Sequence, residues 1–428
     1  MACYDKVNGI IDELLCTGSK LPYVDELRKQ SIDAVLKDKS LSDVLSDITD
    51  EIASVTSDFL AEKNQFGTNL ISGISTGIYL PYGGKTKCVL VGGTNSRDRD
   101  DKVDFDTIFD VASITKLFTL LLAFKLEENG FINLDTRVCD INPDFDKLDF
   151  TLNDLIRLYG EIRTEGRIDN ASSFEEAYEI FKTLNVKSDD KSKCKYNDLG
   201  AMVLADTITK VVGKKLDEDL SYEEIMNRFF LKPLGLSHTM FNPKTSNISG
   251  SGYSNLYPHD PKARLFNGVG GHAGLFTNSG DLMVLTDALL RTDFLRKNHI
   301  DRLSQENIKG KILGNNGLYL WDPRGSEVTF TPVEYSKGHS FTSQGYTGSI
   351  ASFDLRKGIH NSILVNAIDR DLEERLFKEK PRGFAEYFDK YEMQVVKRTM
   401  LMYVVKKYYN KYCRSQEDIE IKRTLSIW

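Results

Sequence analysis

The sequence predicts an α+β fold in which an antiparallel β-sheet is flanked by helices, with a mostly helical subdomain inserted between its strands. Three observations point there. Two alternating runs joined by a Pro-Gly turn lie early in the chain, strand-like runs return after Trp321, and the long stretch between them carries apolar residues at helical spacing.

Each element follows from its own pattern. At 428 residues the chain is long enough for two intergrown subdomains, or for one domain with an extension. Residues 1–66 are rich in Leu, Ile, Val, Asp, Glu and Lys; Leu41, Val44, Leu45, Ile48, Ile52 and Val55 recur at helical spacing, which predicts an N-terminal helical extension. Residues 67–428 form the main domain. It opens with strand-like runs over Leu70–Leu80 and Lys87–Gly92, separated by Pro81-Tyr82-Gly83-Gly84, and these predict a hairpin.

From Asp110 the pattern changes to DVASITKLFTLLLAFKLEENG, where Ser113 can begin a helix and Gly130 can end it. A helix so apolar on every side must be buried. Amphipathic stretches at Ala201–Val212, Glu223–Phe230 and Asp281–Leu290 alternate with loops rich in Gly, Ser, Asn and Pro, giving a helical subdomain over about residues 117–324. Glu327–Thr331, Thr347–Phe353 and Asn361–Asn366 then read as further strands of the same sheet. Over Gly383–Cys413, Phe384, Phe388, Val395, Val396 and Met400 mark a helix able to cover that sheet.

Composition narrows the function classes. With 40% hydrophobic and 28% charged residues, this is an ordinary globular chain. A formal charge of -7 argues against a general nucleic-acid binder, which needs a dense basic footprint. The basic aromatic run Lys406-Lys407-Tyr408-Tyr409-Asn410-Lys411 reads as a solvated helix face. Asp5, Asp12 and Glu13 interrupt what would be the apolar core of a signal peptide. The longest apolar run, Leu117–Phe124, is far short of the roughly 20 residues of a membrane span. The six cysteines, at positions 3, 16, 88, 139, 194 and 413, form no Cys-x-x-Cys pair, and the six histidines are dispersed, so neither a metal nor a cofactor is expected. Scattered free thiols without an export signal predict a cytoplasmic protein. The oligomeric state is not legible.

Chemistry enters at Ser113-Ile114-Thr115-Lys116. One helical turn puts positions i and i+3 on one face, so the Lys116 ammonium can lie against the Ser113 hydroxyl. Burial lowers a lysine pKa, which would make Lys116 a base for an otherwise poor nucleophile. A lysine among apolar neighbours is costly to bury unless paired or catalytic. The second feature is Tyr196-Asn197-Asp198, ahead of an apolar helix; Tyr196 and Asp198 can enter the same cleft, or the three residues can simply cap the helix. The third is Ser343-Gln344-Gly345-Tyr346-Thr347-Gly348 on a predicted strand, where Gly345 marks either a close approach or a bulge.

In this order and at these gaps, the three features resemble the motifs of the serine β-lactamase, penicillin-binding-protein and family VIII esterase-like superfamily: S-x-x-K, then Y-x-N or Y-x-D, then K/H-T-G. FDVASITKLFT, KYNDLGAMVL, MNRFFLKPLGLSHTMF and GVGGHAGLFTNSGDL extend the similarity, which covers roughly residues 67–375. The resemblance implies a β-lactamase/transpeptidase-like fold. It also implies a serine hydrolase working through an acyl-enzyme on an ester or amide, with a small molecule or peptide as substrate. Ser113 would be the nucleophile, with Lys116 and Tyr196 as the deprotonating pair. Asp198, Ser343, Gln344, Gly345 and Tyr346 would line the substrate and oxyanion site, the N–H groups of Ser113 and Tyr346 facing the oxyanion.

Two departures stand out. Ser343 occupies the place of the usual Lys or His, and Gln344 that of the usual Thr, so a cation for a substrate carboxylate is missing there. His339 could replace it only if the strand entrance curled back. A transacylase using an amine or alcohol acceptor, or a non-catalytic binding protein, remain alternatives on the same fold. Two decoys are set aside. His272 in Gly270-Gly271-His272-Ala273-Gly274 reads as a loop anchor, and Ser75 in Gly73-Ile74-Ser75-Thr76-Gly77 lacks the helix that a nucleophile elbow requires.

Overall fold

The computed structural model describes residues 71–80, 86–95, 100–158, 161–189, 196–250, 258–290, 294–305 and 339–368, with helical positions at 53, 54, 56, 57, 60 and 61. The rest of the N-terminal extension, the expected strand at Glu327–Thr331, the Lys406–Lys411 run and the helix at Gly383–Cys413 lie outside these residues.

The expected hairpin is formed by β1 (Gly73–Leu80) and β2 (Thr86–Gly93), paired from Gly73 opposite Gly93 to Leu80 opposite Thr86. Three strands from the other end of the domain, β3 (Ser340–Gln344), β4 (Ile350–Asp354) and β5 (Ile359–Val365), join it, and the described residues form a five-stranded sheet in the order β2-β1-β5-β4-β3. Every neighbouring pair is antiparallel. The two chain segments meet where β1 lies against β5, with Ile74 opposite Val365. Asn366 fastens that seam: its Oδ1 accepts from the N–H groups of Ser72 (3.0 Å) and Gly73 (2.9 Å), satisfying donors at the start of β1.

The strand expected over Thr347–Phe353 begins later, at Ile350. Gly345–Gly348 instead make a tight turn, with the Gly348 N–H on the Gly345 carbonyl at 3.0 Å and Gly348 at φ +96°, a conformation glycine adopts freely. All residues of β4 and β5 are buried, so both faces of this part of the sheet are covered and strict alternation is lost.

Apart from the helical positions at 53, 54, 56, 57, 60 and 61, the described helices lie between β2 and β3 in the chain. Those that bear on the site are α1 (Thr115–Glu128), α2 (Phe174–Lys182), α3 (Leu199–Leu216), α4 (Ser279–Leu290) and α5 (Lys297–Gln305). Buried residues run along all of α1 from Thr115 to Phe124, and Asn129 and Gly130 close it, as its sequence pattern predicts. It packs against α3 and against the Asn227–Leu231 turn, where the Phe118 and Phe230 rings meet edge to face at 6.1 Å. On the sheet side, α4 lies over β1 and β5. Gly77 permits that approach, since a Cβ there would stand 3.0 Å from Cβ of Ser279. Ser75 sits in mid-strand, buried, with its hydroxyl on Ser279 Oγ at 2.9 Å, so the Gly73–Gly77 motif is a packing feature.

His360 is buried in β5 with its ring 4.5 Å from that of Phe353. Burial holds its pKa down to about 3, outweighing a weak contact with the Ser352 backbone. Because the folded value is lowered from 6.5, stability is complete above the unfolded pKa and declines as pH falls from about 6.5 towards 3. Moving from pH 7 to about pH 4.5 should remove about 3 kcal/mol through this one group. Denaturant unfolding at both pH values should show that His360→Leu loses about 3 kcal/mol less than wild type. Equal losses in the two proteins would refute the assignment.

Candidate active site

Ser113 is presented by a short strand, a strained turn and the start of α1. The strand Ile108–Asp110 pairs with Ile248–Ser249 on one side and Phe276–Thr277 on the other. A single helical turn, Ala112–Ile114, follows and runs directly into α1. Ala112 stands at φ +44°, which is unfavourable for a residue with a Cβ. The buried Asp110 carboxylate holds that conformation, accepting the Ala112 N–H at 2.9 Å and the His259 N–H at 2.6 Å. Burial raises the pKa of Asp110, the two N–H groups opposing the shift. Ser113 itself is partly exposed, unlike its neighbours Ala112 and Ile114.

One turn on, Lys116 is 1% exposed and its ammonium has three acceptors: Ser113 Oγ at 2.9 Å, Asp198 Oδ1 at 2.9 Å and the His272 carbonyl at 3.1 Å. The Tyr196 ring lies against the same ammonium, 4.9 Å from Nζ to the ring centroid. The expectation of a lysine made neutral by burial is overturned. Desolvation does lower its pKa, but the charge of Asp198 and the contacts with Tyr196 outweigh it, and the net shift is upward. Lys116 rests as a cation.

The tyrosine loop divides its labour. Asn197 Oδ1 accepts the Gly200 N–H at 3.0 Å and so caps α3. Asp198, although at the N-cap position, makes no side-chain cap and turns its carboxylate into the cleft. There it bridges two ammonium groups, Lys116 at 2.9 Å and Lys262 at 3.1 Å, and those charges hold its pKa well below the usual carboxylate range despite burial.

The end of β3 is pressed against the nucleophile segment. A Cβ on Gly345 would stand 2.4 Å from the Val111 carbonyl oxygen, so only glycine fits, and Thr347 Oγ1 donates to the Asp110 carbonyl at 2.8 Å. The close approach predicted for Gly345 is therefore made by this chain's own backbone. Ser343 is buried, Gln344 is partly exposed, and Tyr346 is 39% exposed with its ring tilted against that of His259 at 5.2 Å between centroids. His339 precedes the straight strand Ser340–Gln344 and bonds through its carbonyl to Leu355, at the end away from Gly345. It cannot stand in for the missing cation.

His272 anchors its loop as expected: Nε2 meets Asp260 Oδ1 at 2.8 Å and its carbonyl serves Lys116. The preceding Gly271 lies where a Cβ would be 2.2 Å from the Ala201 carbonyl of α3. The sequence reading missed Asp110, His259, Asp260 and Lys262. Only Asp260, directly before Pro261, carries a local signal; it caps the short helix Pro261–Leu265 through the Ala263 N–H. Asp198, Asp260 and His272 bring ligand-type atoms within 4.8 Å of one another, and two lysine ammonium groups already supply the positive charge there.

The family model described as Beta-lactamase matches residues 71–376. The chain belongs to the β-lactamase family. Among solved structures, a class C β-lactamase from Rhodobacter sphaeroides superposes with a TM-score of 0.56 at 17% identity, covering 81% of this chain and 99% of that one. The β-lactamase fold expected from the motifs is thus established. A protein of Escherichia coli K12, provisionally named a D-alanyl-D-alanine carboxypeptidase, is 28% identical over 231 residues, 44% of this chain and 52% of its own length. An N-acetylmuramyl-L-alanine amidase of Bacillus subtilis is 23% identical over 321 residues, 64% of this chain and 71% of its own. The chain thus spans about half the length of the first of these relatives. Among the described residues of this β-lactamase-family chain, no helix is long and apolar enough to cross a membrane.

Proposed function

We propose that this β-lactamase-family chain is a serine hydrolase that cleaves an ester or amide through an acyl-enzyme on Ser113. The observation that carries this reading is the Lys116 ammonium, buried and 2.9 Å from both Ser113 Oγ and the Asp198 carboxylate. A scaffold protein would gain nothing from burying a charge against a partly exposed hydroxyl. Because Lys116 rests as a cation, Tyr196 is the group to receive the Ser113 proton as Oγ attacks the substrate carbonyl. The N–H groups of Ser113 and Tyr346 would hold the oxyanion. Tyr196 would return the proton to the departing alkoxide or amine, and water would then hydrolyse the ester on Ser113.

The test is incubation with a fluorophosphonate or a labelled penicillin, followed by mass mapping of the modified peptide. Label on Ser113 supports the reading. A fully labelled chain with Ser113 unmodified refutes it.

Substrate preference follows from the third motif. A Lys or His at position 343 would hold a carboxylate by a charge-assisted bond worth roughly 1.5–3 kcal/mol, about ten- to a hundredfold in binding. Ser343 and Gln344 offer neutral groups, and Lys262 is already shared among Asp198, Asp260 and Asp169. Neutral esters and amides should therefore be turned over with higher kcat/KM than analogues bearing a free carboxylate, and Ser343→His should narrow that gap by about tenfold. A wild-type preference for the carboxylate analogue would sink this argument. We also propose a cytoplasmic location, supported by the dispersed cysteines and the free Cys139 thiol.

A further inference from the structure

Lys262 lies on the short helix Pro261–Leu265, outside all three motifs, yet its ammonium enters the site. It is 3.1 Å from Asp198 Oδ2, while Lys116 is 2.9 Å from Oδ1 of the same carboxylate. Carboxylates also face it from two other directions. Asp260, the cap of its own helix, and Asp169, on the Ile168–Asn170 turn, each stand 3.7 Å away. Asp260 is in turn held by His272 at 2.8 Å. A continuous chain of polar contacts thus runs Lys116, Asp198, Lys262, Asp260, His272. Lys262 is the second lysine ammonium in it, after Lys116. The neighbouring Arg264 guanidinium is directed at the carbonyls of Pro258 and His259.

We propose that Lys262 is a positioning residue: its ammonium shares Asp198 with Lys116 and sets, through its charge, the pH at which the Ser113, Lys116 and Tyr196 cluster can take up a proton. The proposal rests on the hydrolase reading for its catalytic consequence. Its physical basis is simple. Asp198 alone would make Lys116 a more tenacious cation and the Tyr196 phenolate harder to form, since its full negative charge lies against the ammonium that the Tyr196 ring covers. Lys262 neutralises part of that charge.

The sign is the same whichever group accepts the proton. Removing a nearby cation stabilises the protonated form of Lys116 and destabilises the anionic form of Tyr196, so both pKa values rise. The rising limb of the pH–rate profile must then move to higher pH. A charge removed at this distance, shared through one carboxylate, should move it by about one unit, or about tenfold in rate below the midpoint. The Asp198 side chain would also lose one of its two anchors.

The experiment compares full-length wild type, Lys262→Met and Lys262→Arg by two readouts. One is the pH dependence of Ser113 labelling by a fluorophosphonate. The other is the phenolate absorbance of Tyr196, obtained as the difference between each protein and its Tyr196→Phe version. In Lys262→Met both curves should move up by about one pH unit, and Lys262→Arg, which keeps the charge, should return them to within about twofold of wild-type rates. A Tyr196 titration that stays in place in Lys262→Met overturns the proposal. So does a labelling loss that is equal at every pH and unrelieved by arginine, which is the mark of simple misfolding. If the Tyr196 titration moves but Ser113 is never labelled, the electrostatic role stands and the hydrolase reading fails.

Discussion

Ser113→Ala is expected to lower kcat/KM on a short-chain neutral ester by about 10⁴-fold or more and to abolish covalent labelling, while leaving the fold intact. The size of the effect follows from the role. A nucleophile has no substitute at its own position, and what remains is the catalysis due to substrate binding and the oxyanion N–H groups alone. Stability should change little. The Ser113 side chain is partly exposed and accepts a bond from Lys116, whose ammonium keeps Asp198 and the His272 carbonyl in the variant. Ser75→Ala is the matched control, a buried serine in a G-x-S-x-G sequence whose hydroxyl is bonded to Ser279, and it should keep both turnover and label. Turnover that survives in Ser113→Ala, with label found elsewhere, would remove the central assignment.

Why were the nucleophile and its lysine legible in the sequence when Lys262 was not? Ser113 and Lys116 are separated by one helical turn, so periodicity alone places them together, and a lysine inside an apolar helix advertises its cost. Tyr196 and Asp198 had a weaker signal, because the same three residues also serve as a helix cap. The structure shows both uses at once, Asn197 capping α3 while Asp198 turns to Lys116. Lys262 reaches the site only through the tertiary path of the loop before it. Nothing in Pro261-Lys262-Ala263 distinguishes it from a surface lysine.

The fold shows the same division. The β1–β2 hairpin and helix α1 were readable from local pattern, since turn residues and apolar periodicity are short-range properties. The turn at Gly345–Gly348 has the sequence pattern of a strand because its alternation continues through Tyr346 and Thr347. What breaks the strand there is a long-range contact, the Val111 carbonyl packed where a Gly345 side chain would be. The protonation state of Lys116 misled for a related reason. Burial was visible in the sequence, but the partner that reverses its effect lies 82 residues away, in a different loop.

That reversal gives the Lys116 variants their meaning. Lys116→Met removes the charge at nearly constant volume and leaves Asp198 still paired with Lys262, so the protein should fold while losing about 10³-fold in kcat/KM. Lys116→Arg keeps the charge and should lose nearly as much. The slot is built for a compact ammonium, with three acceptors at 2.9, 2.9 and 3.1 Å around one nitrogen and 1% of the residue exposed. A planar guanidinium presents its donors in a fixed fork and cannot point them at Ser113 Oγ, Asp198 and the His272 carbonyl from one atom. Accommodating it must push Ser113 or the Gly270–Gly274 loop aside, and a misplacement of about 1 Å at the nucleophile costs on the order of a hundredfold by itself. Thermal unfolding measured beside kcat/KM separates a chemical loss from a folded fraction that has merely shrunk. If Lys116→Arg retained activity within about tenfold of wild type, charge alone would suffice at this position, and the three-acceptor geometry would be structural and not catalytic.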